Sequence, residues 1–399
     1  MATLVHELEL PGLSEDDGDF AERMAKVLAF GEDQWLIRDM FGFGVWHYED
    51  CVAVLRDKRW HNASGRLPEL FGVTDERFLE RQQVSILSAE GEVHTRLRRL
   101  VGTAFSPRAA DRLRPVMRRV VDGLVDAVAP SGRADVAVDI CEPYPIPIIC
   151  ELLGAPKEDW QFFSRVANDI LEVFSNDMAS KLDVIIKAQD DLDAYTREMI
   201  AARRDKPADD LLTALIAAEE AGDKLSNEEL VMMVNAVIVG GTDTTRNQLG
   251  CAVALFAEHP DQWDRVRADP DAMVPRAVEE ILRYEPITPF TARIVEEELV
   301  YRDVVFPVDT VVMVCAFTGN RDPGEPDVFD VAAEREGKPL TFGAGIHYCL
   351  GANLARAELQ EALAFLARRW TRIELDGEPV MGSINGIYGI DRLPIRWTA

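Results

Sequence analysis

The stretch Phe342-Gly343-Ala344-Gly345-Ile346-His347-Tyr348-Cys349-Leu350-Gly351 sets a single cysteine at the end of a glycine-punctuated loop. Without a Cβ, the backbone at Gly343, Gly345 and Gly351 is free to take positive φ and to lie against a flat group that a larger residue would exclude. Beyond it, Leu354, Leu359, Leu363, Leu366 and Trp370 recur at roughly helical spacing among Ala, Arg and Glu. Cys349 therefore lies near a helix N-terminus, where free amides and the macrodipole favour a thiolate. A lone cysteine in apolar surroundings is otherwise more often an inert core side chain.

The spacing Phe342-x-x-Gly345-x-His347-x-Cys349-x-Gly351 resembles the heme-ligand loop of the cytochrome P450 family, and ten consecutive residues fit it without a gap. The resemblance makes Cys349 the metal ligand, with Phe342, Gly343, His347 and Gly351 around a heme b (iron protoporphyrin IX). In that family the thiolate pushes electron density onto the iron and favours O–O cleavage. The implied fold is mainly α with a smaller β region, one heme-thiolate domain over residues 1–399.

A second stretch supports this. Ser226-Asn227-Glu228-Glu229 reads as a capping box, and the apolar pattern continues to His259-Pro260. Such a helix would run roughly 50 Å at 1.5 Å per residue. Its middle, Gly240-Gly241-Thr242-Asp243-Thr244-Thr245, holds six poor helix formers that cost roughly 4 kcal/mol relative to alanine. Close helix–helix contact would account for the glycines but not for an acid between hydroxyls. The segment resembles the family's Gly-Gly-x-Asp-Thr signature, in which the helix opens over the heme. Gly240 and Gly241 would then admit the ring and dioxygen, while Asp243 and Thr244 would be catalytic, delivering protons that solvent replenishes.

Further motifs match by position. His94 and Arg98 share a helix face, which alone suggests a solvated basic face; in the family His-x-x-x-Arg lies at the heme propionates, to which Arg293 and His347 would also contribute. Glu280 and Arg283 match Glu-x-x-Arg, but the expected third partner aligns with Ala333, and Arg335 is offset by two. Pro289, Phe290 and Thr291 fall where substrate is touched, and Ile384 to Tyr388 weakly resembles the last pocket loop. Asn235, on the long helix, could orient a substrate or bond a neighbouring backbone.

Elsewhere the text is less specific. An extended run at Val45–Tyr48 leads into a helix over Tyr48–Leu55. Residues 60–88 read as a long irregular loop whose Trp60, Phe71 and Phe78 suit a lid or core anchoring. A helix is expected over Asp111–Ala129, irregular chain over Asp135–Pro147, then helices over 148–154, 157–176 and 181–204, with Asn176-Asp177 a joint. In the family the last pair covers the substrate, which Phe162, Phe163, Phe174 and Met178 could line. Short strands follow through Val300, Val305 and Val311 to Val314.

Residues 1–20 lack an apolar targeting core, and the longest nearly apolar run, Val231–Val239, falls short of a membrane span. With Cys51, Cys141, Cys150, Cys251, Cys315 and Cys349 showing no close pairing, a reduced, cytoplasmic setting without a membrane anchor is expected. The net charge of −27 disfavours nucleic acid as a partner. Yet His94–Arg119 carries eight arginines and one acid, +7, leaving −34 for the remainder. Arg96, Arg99, Arg108 and Arg112 are expected to present an exposed face to an acidic ferredoxin. The resemblance implies a monooxygenase that places one atom of O2 into a hydrophobic small molecule such as a terpenoid, steroid, fatty acid or macrolide-like compound. Electrons would come from NAD(P)H through a separate reductase and ferredoxin, since the chain has neither a dinucleotide loop nor an iron–sulfur cysteine cluster. The rivals are a peroxide-driven or nitric-oxide-reducing enzyme, against which the intact Asp243-Thr244 pair argues, and a noncatalytic heme sensor.

Overall fold

Helix Asn227–Glu258 is the axis of the fold. Its capping box forms as the sequence predicts: Ser226 Oγ accepts from Glu229 N at 3.1 Å, and Glu229 Oε2 accepts from Ser226 N at 2.8 Å. Pro260 opens the next helix, Pro260–Ala268, rather than prolonging this one. Helices Pro145–Leu153, Trp160–Leu171, Leu182–Asp205 and Ala352–Arg369 pack around it, and most of its side chains are buried in the main core. That burial offsets the poor propensity of its middle. The computed structural model describes residues 2–13, 20–30, 34–39, 41–70, 72–175, 178–221, 225–321, 327–335, 337–382 and 387–398.

The β region is assembled from distant pieces. A five-stranded sheet runs Leu36–Asp39, Gly42–Val45, Val311–Cys315, Phe290–Val295, Trp60–Asn62, with Phe43 opposite Val312 in the one parallel pairing. The extended run before helix Tyr48–Arg56 thus lies at Gly42–Val45 rather than at 45–48. Strands Leu299–Tyr301 and Val304–Phe306 form a hairpin, as expected.

Residues 60–88 are more ordered than the text suggests. Asp75 caps helix Glu76–Gln83 by accepting from Phe78 N at 2.8 Å. Trp60 packs edge-on against Phe306 at 4.9 Å, and Phe78 is buried with Val73, Met178 and Ile185. These aromatics are core anchors, not a lid; Phe71 lies outside the described residues. Helix Pro107–Val128 begins four residues early because Ser106 caps it and Pro107 fits its first position. In the supposedly irregular 135–147, a π-helical turn, Ala137–Cys141, leads into Pro145–Leu153, where Pro145 starts a helix. Of the expected cover residues, Phe163 and Met178 are buried and Phe162 stacks on Tyr195 at 5.1 Å. Phe174 alone of the four is exposed, and the joint at Asn176-Asp177 lies outside the described residues. Among the described residues, no helix is long and apolar enough to cross a membrane.

Candidate active site

The cysteine loop is built from two helical turns, Leu340–Phe342 and Gly345–His347; Gly343 ends the first at φ 68° and Gly345 begins the second at φ 72°. A side chain at Gly345 would strike the Leu55 carbonyl. Cys349 N donates to Phe342 O at 2.9 Å, closing the loop just before helix Ala352–Arg369. A Cβ at Gly343 or Gly351 would meet no atom within 4 Å, so both border open space. Cys349 is exposed whereas the other five cysteines are buried. The sulfur is nonetheless crowded by protein atoms. Burial there pushes the thiol pKa up, further than the amides of Gly351 and Ala352 and the charges of Arg98 and Arg356 pull it down. The helix end alone therefore does not make the thiolate expected from the sequence; coordination to a cation would.

Beside this loop the structure gathers His94, Arg98, Arg293 and His347. The His94 and His347 rings lie 4.4 Å apart, and Arg98 Nη2 donates to the Tyr348 carbonyl. Arg293 is 2% exposed, and Nη1 donates to Ala292 O at 3.0 Å. Burial lowers its pKa to about 10. Burial, with His94 and Arg293 nearby, pushes His347 down to about 4, and burial likewise lowers His94. Among the described residues no carboxylate forms an ion pair with Arg98 or Arg293. Glu90, which sequence reading missed, stands nearest, 3.9 Å from His347 Nε2, an atom that is buried without a hydrogen bond. Although Glu90 occupies the N-cap position of helix Gly91–Val101, its side chain does not cap it; it accepts from Asn62 N at 2.6 Å and pairs with His61 Nδ1 at 2.5 Å. Two arginines without carboxylate partners among the described residues, flanked by two histidines able to donate hydrogen bonds, fit the two propionates of a heme.

On the long helix the signature residues divide. Gly240 is exposed and borders open space, whereas a Cβ at Gly241 would overlap Ile149. The helix does not open: Thr242 Oγ1 donates to Ile238 O at 2.6 Å and Thr244 Oγ1 to Gly240 O at 2.9 Å, so the hydroxyls bond the preceding turn. Asp243 is buried beside them, Oδ1 2.9 Å from Arg246 Nη2 and Oδ2 accepting from Asn247 Nδ2 at 2.9 Å. Burial raises its pKa against both partners. It forms one wall of a polar cleft of about 440 Å³ with Glu142, Asn168, Arg246 and Asp391.

The family model described as cytochrome P450 matches residues 45–380. The chain belongs to the cytochrome P450 family. Luteothin monooxygenase of Streptomyces thioluteus is 33% identical over 100% of both chains. Nocardicin C N-oxygenase of Nocardia uniformis subsp. tsuyamanensis is 36% identical over 93% of this chain and 91% of its own. The crystal structure of CalO2 superposes with a TM-score of 0.89 at 30% identity, covering 98% and 99% of the two chains. This cytochrome P450 is thus a monooxygenase of the bacterial type whose cofactor is heme b.

The framework behind the P450 loop bears on two readings that the sequence left open. Arg335 joins Glu280 and Arg283 despite its offset: Arg283 Nε and Arg335 Nη2 reach Glu280 at 2.8 and 2.9 Å. Burial pushes Glu280 up, but these arginines hold it below the usual carboxylate range. The Asn235 side chain bonds neither of the partners weighed for it, a substrate or a backbone, but the side chains of Thr196 and Asp193, both at 2.6 Å, tying two helices together. Phe290 and Thr291 lie half-buried at the end of strand Phe290–Val295, and most of the last pocket loop, residues 384–386, lies outside the described residues. Two partners went unnoticed in the sequence. Glu358, buried, accepts from Thr245 Oγ1 at 2.9 Å, and burial lifts it to about 8. Arg356 grips Glu279. Of the basic stretch, Arg96 is not free, since it pairs with Glu229 at 2.5 Å, and Arg114 and Arg118 hold Glu361. Arg99, Arg108, Arg112 and Arg119 are exposed without an ion pair among the described residues.

Proposed function

We propose that this cytochrome P450 is a single-domain, cytoplasmic monooxygenase in which Cys349 is the sole protein ligand of the heme iron. When bound, the heme supplies dioxygen activation, aided by electron donation from the thiolate. The observation that carries the reading is the juxtaposition of the one exposed cysteine, two glycines bordering open space, and two arginines, Arg98 and Arg293, without carboxylate ion partners among the described residues. His94, Arg98, Arg293 and His347 would hold the propionates, and Phe342, Gly343 and Gly351 would border the ring on the sulfur side. Gly240 and Thr244, one helical turn apart, share a face that would lie across the ring.

Asp243 is the proton source in this scheme. Its wall of the polar cleft supplies a route to solvent, and its raised pKa suits a group that alternates between protonated and ionised forms. Thr244 would pass the proton on by turning its hydroxyl away from the Gly240 carbonyl. The substrate would be a hydrophobic small molecule; one relative is named for luteothin and another for nocardicin C. Electrons would come from NAD(P)H through a reductase and an acidic ferredoxin docking on Arg99, Arg108, Arg112 and Arg119.

The test is the ferrous carbonyl spectrum. Wild type gives the strongly red-shifted Soret band of thiolate ligation, and Cys349→Ala loses it. Retention of that band in Cys349→Ala would assign the ligand to another cysteine.

A further inference from the structure

We infer that Arg356 is a positioning residue of the thiolate side, fixing the Tyr348–Cys349 segment and holding one positive charge beside it. This rests on the reading of Cys349 as the iron ligand. Arg356 stands on the helix that follows the loop, and its guanidinium is used on three sides. Nε and Nη2 fork onto Glu279 Oε1 and Oε2 at 2.5 and 3.0 Å, and Nη1 donates to Tyr348 Oη at 3.1 Å. Its flat face lies 4.6 Å from the centre of the Phe342 ring, which in turn meets Tyr348 edge-on at 6.3 Å.

Tyr348 is therefore gripped at both ends: Arg356 holds its hydroxyl, and Arg98, from helix Gly91–Val101, holds its carbonyl, which belongs to the peptide leading into Cys349. A planar fork that also stacks on an aromatic ring is a task for arginine rather than lysine. The charge is not cancelled by its partner. The Glu279 side chain is 42% exposed and that of Arg356 19%, so water screens the carboxylate more than the guanidinium. The cation, held on the Tyr348 hydroxyl, is thereby left less screened than its partner beside the segment that carries the sulfur.

A cation beside the ligand favours the state of the site that holds one more electron. Midpoint potentials measured by spectroelectrochemistry on heme-loaded wild type, Arg356→Gln, Arg356→Lys and Glu279→Gln read this directly. Arg356→Gln shifts the potential to more negative values; Arg356→Lys, keeping charge but losing the fork, falls between it and wild type. Glu279→Gln, which removes the opposing charge, shifts it to less negative values. Loosened packing alone would not order the variants by charge. A wild-type potential in Arg356→Gln, or a shift of Glu279→Gln in the same direction as Arg356→Gln, overturns the inference. Should Arg356→Gln not accumulate as folded holoprotein, Glu279→Gln decides: a potential at or below that of wild type overturns it. A wild type without the red-shifted carbonyl band instead removes the heme-thiolate reading itself; with that band present, flat potentials sink only the role of Arg356.

Discussion

The cysteine loop and the middle of the long helix are both rich in glycine, and they use it for opposite reasons. In the loop the backbone demands it: Gly343 and Gly345 take φ of 68° and 72°, where a side chain is strained. In the helix the backbone is ordinary, and what matters is the missing side chain, which Ile149 fills at Gly241 and nothing fills at Gly240. The loop is also held from outside, by Arg98 and Arg356, while the Thr242 and Thr244 hydroxyls are satisfied within their own turn. The loop therefore owes part of its geometry to partners outside it, whereas Thr242 and Thr244 need no partner beyond their own helix, which leaves the surface there free to vary. Changes in the helix middle should alter chemistry or local packing without disturbing the fold.

Thr244→Ala is the strongest test of that contrast. Its hydroxyl bonds only within the helix among the described residues, and alanine is the better helix former, so folding should be unharmed. Coupling should collapse: NAD(P)H consumption continues while product per NAD(P)H falls at least about tenfold and hydrogen peroxide rises, general acid–base steps contributing ~10²–10⁴. Thr244→Ser, which restores a hydroxyl, should recover most of the coupling. Equal coupling in wild type and Thr244→Ala would remove Thr244 from the mechanism.

A smaller effect should separate the neighbouring glycines. Alanine gains about 1 kcal/mol of helix propensity at either position, so that term cancels in a comparison. Gly240→Ala adds a methyl to open space. Gly241→Ala drives one into Ile149, itself 2% exposed and with little room to move, at a cost of about 1–3 kcal/mol. Denaturant unfolding should find Gly240→Ala the more stable of the two by about that amount. Equal stabilities would mean that Ile149 yields, and that the two glycines are not distinguished by packing.

What could be read from the sequence were local features. The capping box of Ser226 and Glu229, the stop at Pro260 and the spacing around Cys349 each lie within a few residues of what they determine. What could not be read depends on pairings across the chain. Gly42–Val45 becomes a strand because Val312, Met313 and Val314 lie alongside it. Arg335 reaches Glu280 although its position in the text is wrong by two, because a flexible side chain absorbs the offset. Glu90 holds the N-cap position of helix Gly91–Val101, yet its carboxylate goes to Asn62 N and His61, nearly thirty residues earlier in the chain. Pro107 and Pro145 show a separate limit: proline marks a boundary, but the text alone does not say whether a helix ends or begins there.

The mildest effect should come from the outer side of the same basic stretch whose inner side holds the loop. Arg98 turns inward to the Tyr348 carbonyl, while Arg99, Arg108, Arg112 and Arg119 stay exposed without ion pairs among the described residues. Arg108 is the most telling, because it occupies the first turn of helix Pro107–Val128, where no acid offsets the macrodipole and a cation is disfavoured. In a protein of net charge −27, four unpaired arginines on one stretch make a local field of the wrong sign for the rest of the surface, and an acidic ferredoxin would be drawn to that field. Steering of this kind fades as ions screen it, the Debye length falling from about 30 Å at 0.01 M to about 10 Å at 0.1 M. Stopped-flow reduction by ferredoxin should therefore slow as salt is raised. Single reversals to glutamate at Arg99, Arg108, Arg112 or Arg119 should lower the second-order rate about two- to fivefold at low salt while leaving substrate affinity unchanged. Arg96→Glu is the internal control: its charge is already spent on Glu229, so its reversal should cost stability more than rate. A flat salt profile with wild-type rates in all four reversals would return these arginines to a plain solvated face.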